Sequence, residues 1–307
     1  MIERQGAHST YLHFEHLAEI PGLTHAVFTR RGGFSSQPFA GLNASSTTGD
    51  DLGIVLRNKQ EIVDVLGLPL VGARPVHGGT VAHVARPTSV DGDAAWLEPL
   101  RSRLRHTDAD AMIADQTGFA LCWAFGDCAP VLLVDPHSKG FALVHAGWRG
   151  TAIGITYRAV QAMTDRYGTR PADILAGIGP SIGACCYAVR REVCEHFDAN
   201  PLARDTALFV ERSADEADSN VLPGDTPNLG REESDFPYPY GHRHEAKTVL
   251  FLDIPESNHR QLLAAGVAPD HIESSSYCTG CRTDLFYSHR REPWPSGRFA
   301  VGIGRYS

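Results

Sequence analysis

Residues 127–150 constrain the fold of this 307-residue chain more than any other stretch. Two short apolar runs, at 131–134 and 141–144, are separated by residues typical of a turn, so they predict two β-strands. The turn contains an Asp-Pro pair and a later glycine; proline fixes φ, and glycine accepts a positive φ. We therefore predict an antiparallel β-hairpin at this point of the chain.

The hairpin also predicts where two metal-binding side chains meet. If Pro130 lies opposite His145, then Cys128 is two residues along on the same face. Residues in such a diagonal pair are about 7–8 Å apart between Cα atoms, which lets two side chains converge on one ion. A register shift of one residue would place the two side chains on opposite faces, so the prediction depends on this register.

The net charge, the apolar segments and the cysteine count exclude several classes of protein. The net charge of −8 argues against general nucleic-acid binding, which favours a basic surface. The N-terminus lacks the apolar core of a signal peptide, and the most apolar window, residues 118–134, is too interrupted to span a bilayer. Seven cysteines cannot all pair within one chain. We therefore expect a cytoplasmic protein, without a membrane segment, whose thiols are free or bound to metal.

The pattern of elements predicts one mixed α+β domain over residues 1–307. One helix is predicted from Asp50 or Asp51 to Leu66, and a longer amphipathic helix from residue 150 to 167. Strands outnumber helices, and hairpins mix with crossovers, which predicts hairpin-containing β-sheets flanked by helices. Residues 213–245, rich in proline and acidic side chains, are interpreted as a surface insertion.

Three side chains next to glycine-containing turns are candidate metal ligands: His77, Cys128 and His145. Imidazole and thiolate suit Zn²⁺, and three protein ligands leave a fourth position open, as in catalytic zinc sites. The residues alone also allow another interpretation, in which Cys128 is a small buried apolar residue and both histidines belong to the core. Their irregular spacing matches no local zinc motif.

From Thr29 to Arg298 the chain resembles the YfiH/YlmD family, also called the laccase-domain or PgeF family. The most specific matches are Pro75-Val76-His77-Gly78, Asp108-Ala109-Asp110-Ala111, Asp127-Cys128-Ala129-Pro130-Val131-Leu132-Leu133, Val144-His145-Ala146-Gly147-Trp148-Arg149-Gly150-Thr151-Ala152, Ala176-Gly177-Ile178-Gly179-Pro180-Ser181-Ile182-Gly183-Ala184-Cys185-Cys186-Tyr187 and Cys278-Thr279-Gly280-Cys281. In that family the corresponding His, Cys and His form the zinc site. The resemblance therefore implies that His77, Cys128 and His145 bind Zn²⁺. One departure is Phe125-Gly126 before the Asp-Cys pair, where the family usually has Thr-Ala.

Five further residues are candidates for the site. Arg149 follows a Gly-Trp pair and could present its guanidinium to phosphate or ribose, although a structural ion pair is the alternative. The resemblance suggests that Arg30 and Asn43 line the substrate pocket. Asp110 and Asp127 are candidate proton shuttles or partners that orient the metal ligands, with turn or cap chemistry as the alternative. We thus predict a catalytic set of Asp110, Asp127 and Arg149, and a substrate-binding set of Arg30, Asn43 and Arg149.

The remaining cysteines and one histidine pair give weaker signals. The adjacent Cys185 and Cys186 are predicted to pack in the core. Cys278 and Cys281, in a Cys-x-x-Cys motif, could form half of a zinc ribbon or a redox pair, and we favour a structural role because no second such motif is present. A His-x-His pair at 242 and 244 is interpreted as surface.

The resemblance implies phosphorolysis of adenosine, and of inosine, guanosine and methylthioadenosine, with deamination of adenosine at the same site. The implied partners are a nucleoside and phosphate, with no nucleic acid, membrane or obligate protein partner. Copper-dependent polyphenol oxidation ranks second, because a multicopper enzyme needs several His-x-His pairs in addition to one Cys/His₂ copper. Editing of peptidoglycan precursors and a non-enzymatic zinc module remain further alternatives.

Overall fold

The structure, a computed structural model, describes residues 1–86, 107–213, 248–292 and 294–307. Within these ranges the strands form three sheets. The predicted insertion at 213–245, apart from residue 213, and the histidine pair at 242 and 244 lie outside the described residues.

The first sheet contains both ends of the chain. Among the described strands its order is β1 (Ile2–Gln5), β2 (Ser9–His13), β3 (Leu23–Gly32), β15 (Phe299–Arg305), β7 (Phe119–Phe125) and β4 (Leu70–Val71). All neighbours are antiparallel except β4 and β7.

The second sheet is built around the predicted hairpin. Its described strands follow the order β14 (Ile272–Ser274), β10 (Leu175–Ile178), β8 (Ala129–Val134), β9 (Phe141–Ala146), β6 (Ala111–Ala114) and β5 (Val81–His83). Each edge strand pairs in parallel with its neighbour, and the inner strands pair antiparallel.

A small third sheet and the helices complete the described elements. The third sheet has the order β11 (Ala188–Val189), β13 (Thr248–Leu252) and β12 (Phe209–Ser213). The described α-helices are α1 (Glu15–Ala18), α2 (Leu52–Leu66), α3 (Trp148–Ile153), α4 (Ile155–Tyr167), α5 (Arg191–Asp198), α6 (Pro201–Thr206) and α7 (Ile254–Ala264). The predicted mixed α+β class, with hairpin-containing sheets flanked by helices, is confirmed.

The two larger sheets stack face to face and are covered by helices on their outer faces. Aromatic and aliphatic residues from both sheets form the central core, among them Phe119, Phe299 and Leu132. Helix α2 covers the outer face of the first sheet, and helices α4 and α7 cover that of the second. Burying one such side chain contributes about 1.5–3 kcal/mol to stability, so these faces fix how the strands lie.

The hairpin register is as predicted. Pro130 pairs with His145, and Val134 pairs with Phe141 at the turn end. Since successive side chains alternate between faces, the His145 side chain points to the same side of the sheet as Leu132 and Leu143, toward the first sheet.

The helix predicted over residues 150–167 is instead two helices, α3 and α4. Gly154 separates them with a φ of +82°, a left-handed conformation that ends α3 and begins α4. A side chain there would also meet Leu202, since an added Cβ would lie 2.9 Å from its Cδ2 atom. Apolar periodicity continues through the break, which is why the sequence predicted one helix.

Helix α2 matches the sequence prediction. The Asp51 side chain accepts a hydrogen bond from the backbone N–H of Ile54, and Gly67 ends the helix at a φ of +68°. No helix among the described residues has the length and apolar character needed to cross a membrane.

A buried histidine in the first sheet makes the fold sensitive to acid. His25 on β3 is 2 % exposed, and its Nε2 atom accepts a hydrogen bond from the backbone N–H of Phe14 at 2.9 Å. Burial, together with the nearby His13 and His16, lowers the pKa of His25 to about 3. Below about pH 6.5 His25 is protonated in the unfolded chain but stays neutral in the folded chain. The free energy of unfolding therefore falls as the pH decreases from there toward pH 3.

We expect His25→Gln, which keeps an acceptor for Phe14, to flatten this pH dependence. The difference in slope between wild type and variant should approach about 1.4 kcal/mol per pH unit between pH 6 and pH 4. Urea unfolding at several pH values measures it, with the exposed His137 changed to Gln as the control. Equal slopes in wild type and His25→Gln would contradict the assignment.

Candidate metal centre

The three predicted ligands come together at one end of the hairpin. Cys128 directly precedes β8, His145 is near the end of β9, and His77 lies in the segment that leads to β5. Their candidate ligand atoms all lie within 4.8 Å of one another. The structure thus joins residues that are up to 68 positions apart in the sequence.

The three side chains of the cluster differ in their exposure to solvent. His145 is 5 % exposed, Cys128 is partly buried, and His77 is exposed. Trp123 and Phe125 of the first sheet pack against the His145 ring, with ring centroids 6.1 and 5.5 Å from it. The centre therefore has an aromatic floor and opens toward solvent beside His77.

The backbone around the cluster adopts conformations that the sequence does not favour. Among the described residues, His77 and Asp127 are the non-glycine residues with positive φ, at +55° and +85°. Such conformations cost about 1–3 kcal/mol each and persist only where their surroundings hold them. Gly147 is needed for a different reason: a Cβ atom there would lie 2.9 Å from the Cys128 sulfur.

Asp110 holds the His77 turn in place. Its fully buried carboxylate accepts hydrogen bonds from the backbone N–H groups of Val76, His77 and Gly78, at 3.2, 2.8 and 2.7 Å. The same carboxylate lies 3.4 Å from the Nδ1 atom of His145. A proton on Nδ1 directed at Asp110 leaves Nε2 of His145 for a metal, the usual arrangement at His-bound metals.

The charges of the cluster favour a thiolate at Cys128 beside a protonated His145. Burial alone would raise the pKa of the Cys128 thiol, but the neighbouring His145 and His77 lower it to about 6. Burial would likewise lower the pKa of His145, but Cys128 and Asp110 raise it to about 9. The thiolate, which is the form that binds metals, is therefore present at neutral pH.

Burial would raise the pKa of Asp110, yet its hydrogen bonds with His145 and the Gly78 and His77 backbone lower it overall. Asp110 is therefore a carboxylate, and each of its oxygens already accepts hydrogen bonds in the described structure.

Asp127 connects the centre to the C-terminal part of the chain. It is buried, and its Oδ1 atom accepts hydrogen bonds from the hydroxyls of Thr279 and Ser288, at 2.6 and 2.8 Å. Its Oδ2 atom accepts a third from the backbone N–H of Arg290 at 2.7 Å. Since Asp127 directly precedes Cys128, these bonds fix the position of a candidate ligand.

Arg30 and Asn43 reach the same network from the other side. Arg30 forms an ion pair with Glu292 at 2.5 Å, and Glu292 also accepts from the backbone N–H of Ser288. Asn43 is fully buried and accepts from the backbone N–H of Arg298 at 2.9 Å. The Arg298 side chain packs on Gly126. A Cβ atom added at Gly126 would lie 2.6 Å from the Cδ atom of Arg298.

Arg149 is the second residue of α3, four positions after His145. Its side chain is exposed, with the guanidinium carbon 4.3 Å from the centroid of the Trp148 ring.

No site role was predicted from the sequence for Thr279, Ser288, Glu292 or Arg298. The stretch Tyr287-Ser288-His289-Arg290-Arg291, a polar run directly after an apolar one, is the signal that could have drawn attention to Ser288 and the adjacent Glu292.

The sequence matches a family described as multi-copper polyphenol oxidoreductase laccase, over residues 24–222 and 231–306. The chain belongs to this laccase-domain family. A relative named purine nucleoside phosphorylase YlmD, from Geobacillus stearothermophilus, is 35% identical over 291 residues, which span 93% of this chain and 90% of the relative.

Two solved structures of similar proteins share the fold of this chain. The crystal structure of YlmD from Geobacillus stearothermophilus has a TM-score of 0.74 and 32% identity, covering 100% of this chain and 99% of that one. That of the Bacillus licheniformis hypothetical protein YfiH has a TM-score of 0.75 and 28% identity, covering 99% and 98%. The resemblance to the YfiH/YlmD group is therefore confirmed.

Laccase-domain membership implies a metal, and the described residues offer two places for one. These are the His77, Cys128 and His145 cluster and a group of four cysteines. In the described parts of the chain no set of histidines resembles the additional copper sites of a multicopper oxidase.

Proposed function

We propose that this laccase-domain protein is a zinc-dependent purine nucleoside phosphorylase that acts on adenosine, and on inosine, guanosine and methylthioadenosine, and also deaminates adenosine. The observation that supports it most is the His77, Cys128 and His145 cluster in a chain similar to proteins named purine nucleoside phosphorylase. The cytoplasm, where such nucleosides occur, remains the expected compartment.

The donor set fits Zn²⁺. Two imidazoles and one thiolate are ligands that zinc prefers, and three protein ligands leave a coordination position for substrate or water. When bound, Zn²⁺ acts as a Lewis acid and lowers the pKa of water to about 7. The donors themselves do not exclude copper, which also binds Cys/His₂ sets, so copper is the second choice.

Asp110 and Asp127 act as positioning residues in this proposal. Asp110 orients His145 and holds the His77 turn, and Asp127, through the hydrogen bonds of its own carboxylate, fixes the position of the adjacent Cys128. Both carboxylates already accept several hydrogen bonds, so neither is poised to receive a further proton from substrate. A catalytic proton shuttle remains the alternative role for either residue.

Phosphorolysis also needs a phosphate held near the ribose. A phosphate oxygen bonds to C1′ as the bond from C1′ to the purine nitrogen breaks, and the purine takes up a proton. Arg149 is exposed at the start of α3, four positions after His145, so it can present its guanidinium to phosphate. The charge of Arg30 is balanced by Glu292, so we assign Arg30 and Asn43 to the shape of the pocket.

Copper-dependent polyphenol oxidation is the second candidate, favoured by the description of the family. The described residues hold a single Cys/His₂ cluster, which could bind one copper ion at most.

An assay of protein of defined metal content, incubated with adenosine, distinguishes the two candidate functions. We expect adenine and ribose 1-phosphate only when phosphate is present, and inosine with or without it. Oxidation of a phenol by copper-loaded protein, with no nucleoside turnover by zinc-loaded protein, would overturn the proposal.

Arg149→Met tests the phosphate site in the same assay. We expect phosphorolysis to fall about 10- to 100-fold, because a charge-assisted hydrogen bond contributes about 1.5–3 kcal/mol. Deamination, which uses water in place of phosphate, should change much less. Arg166→Met, at the exposed end of α4, is the control. Equal loss of both activities would mean that Arg149 supports the shared pocket.

A further inference from the structure

We propose that Cys185, Cys186, Cys278 and Cys281 bind a second, structural Zn²⁺ ion. This tetrathiolate site is separate from the centre formed by His77 and its partners, and it does not depend on the proposed function. The sequence prediction placed two of these cysteines in the core and left the Cys-x-x-Cys pair without a partner.

The four sulfur atoms are arranged as a metal requires. All lie within 4.8 Å of one another, and the Cys281 sulfur is 3.4 Å from those of both Cys185 and Cys186. Tetrahedral zinc with bonds of about 2.3 Å would place its sulfur ligands about 3.8 Å apart. The observed spacing therefore needs only small side-chain adjustments to accept the ion.

Adjacent cysteines can serve one ion here because they lie in a turn. In a strand, Cys185 and Cys186 would point to opposite faces. Instead the backbone N–H groups of Cys186 and Tyr187 both donate to the carbonyl of Gly183 at 3.0 Å, which curls the chain. Both sulfurs then face Cys281.

The Cys-x-x-Cys motif forms the opposite wall. The backbone N–H groups of Cys281 and Arg282 donate to the carbonyl of Cys278, at 3.2 and 3.0 Å, so the motif is a tight turn. Gly280 inside it touches the cluster: an added Cβ would lie 2.9 Å from the Cβ and 3.1 Å from the Sγ of Cys186.

Two donors partly offset the negative charge that four thiolates bring. The Arg291 guanidinium donates to the Cys186 sulfur at 3.3 Å, and the backbone N–H of Gly183 donates to the Cys278 sulfur at 3.4 Å. Binding releases the thiol protons, and with four protein ligands the zinc has no open position, as in structural sites.

The site ties together two segments that lie far apart in the sequence. Ser181 forms a β-bridge with Cys278, and Thr279 donates its backbone N–H to the Ser181 carbonyl. The Thr279 hydroxyl then donates to Asp127, directly before Cys128. A zinc ion among the four cysteines would thus fix the turn that supports the other centre.

Metal content measured by mass spectrometry tests the proposal, on full-length protein made with zinc in the medium and purified under reducing conditions. We expect two zinc ions per chain in wild type and one in Cys128→Ser/His145→Ala. Zinc X-ray absorption of that double variant should show four sulfur ligands at about 2.3 Å. Cys278→Ser/Cys281→Ser should lose this zinc, whereas Cys194→Ser, a cysteine outside both clusters, should retain it.

Three outcomes would overturn the proposal. They are a folded Cys128→Ser/His145→Ala protein with reduced thiols and no zinc, a zinc with nitrogen or oxygen ligands in that variant, and a disulfide among the four cysteines in freshly purified wild type. Should Cys278→Ser/Cys281→Ser not fold, the Cys128→Ser/His145→Ala measurement still decides. No readout uses catalysis, so failure of the nucleoside assay leaves this test unaffected.

Discussion

Replacing Cys128 with Ser is expected to remove the metal from the centre and to lower kcat/KM for phosphorolysis by at least about 1000-fold. The physical reason is that a bound metal contributes several kcal/mol of transition-state stabilisation, and each ~1.4 kcal/mol is a tenfold change in rate. Serine is nearly isosteric with cysteine, but its hydroxyl is not ionised at neutral pH and binds Zn²⁺ poorly. His145 and His77 lower the pKa of the Cys128 thiol to about 6, so the native ligand is a thiolate.

Cys122 on β7 provides the matched control. Burial raises the pKa of this thiol to about 12, so it is neutral and serves packing. Cys122→Ala should therefore change the melting temperature and leave the zinc content of the centre unchanged. Metal analysis and initial rates on both variants make the comparison. A Cys128→Ser enzyme that lacks this metal and still turns over nucleosides at the wild-type rate would refute a metal-dependent reaction.

The parts of the centre that the sequence could predict are those set by local chemistry. Alternation along the two strands and the turn between them determine that Pro130 faces His145, and the structure has this register. Capping by Asp51 and Gly67 similarly determines the ends of α2. These features depend on neighbours within a few residues, which sequence patterns record directly.

Contacts between distant segments could not be predicted in the same way. Asp127 is held by Thr279 and Ser288, more than 150 residues away, and no periodicity links them. The same holds for Cys185 and Cys281, which are 96 residues apart and whose sulfurs are 3.4 Å apart. The N-terminal strands β1 and β2 were not predicted either, because β2 is placed by its pairing with the distant part of β3, and β1 by its pairing with β2.

Asp127 links the two cysteine-containing clusters through a short path. Its carboxylate meets Thr279 inside the Cys-x-x-Cys turn, and its peptide bond leads to Cys128. The positive φ of Asp127 is a strained conformation that these contacts over-determine. Loosening of the turn between Cys278 and Cys281 would therefore displace the Cys128 sulfur first.

Asp110→Asn is expected to weaken metal binding at the His77 centre about 10- to 100-fold, the usual effect of losing a partner that orients a ligand. One amide oxygen can replace only one carboxylate oxygen. With that oxygen facing Val76 and His77, the amide N–H₂ group opposes the backbone N–H of Gly78. One unsatisfied buried donor destabilises the fold by about 1–3 kcal/mol. Asp108→Asn, which alters only an exposed pair with Arg74, is the control.

The measurement that separates the two roles of Asp110 is the rate at saturating zinc. If Asp110 positions His145 and the His77 turn, excess Zn²⁺ should restore kcat in Asp110→Asn to within a few-fold of wild type, since the loss lies in metal affinity. If the carboxylate instead shuttles a proton, the fully metal-loaded variant should stay about 10²- to 10⁴-fold slower, the usual contribution of general acid–base catalysis. Three backbone donors and His145 already surround this carboxylate, so we expect recovery.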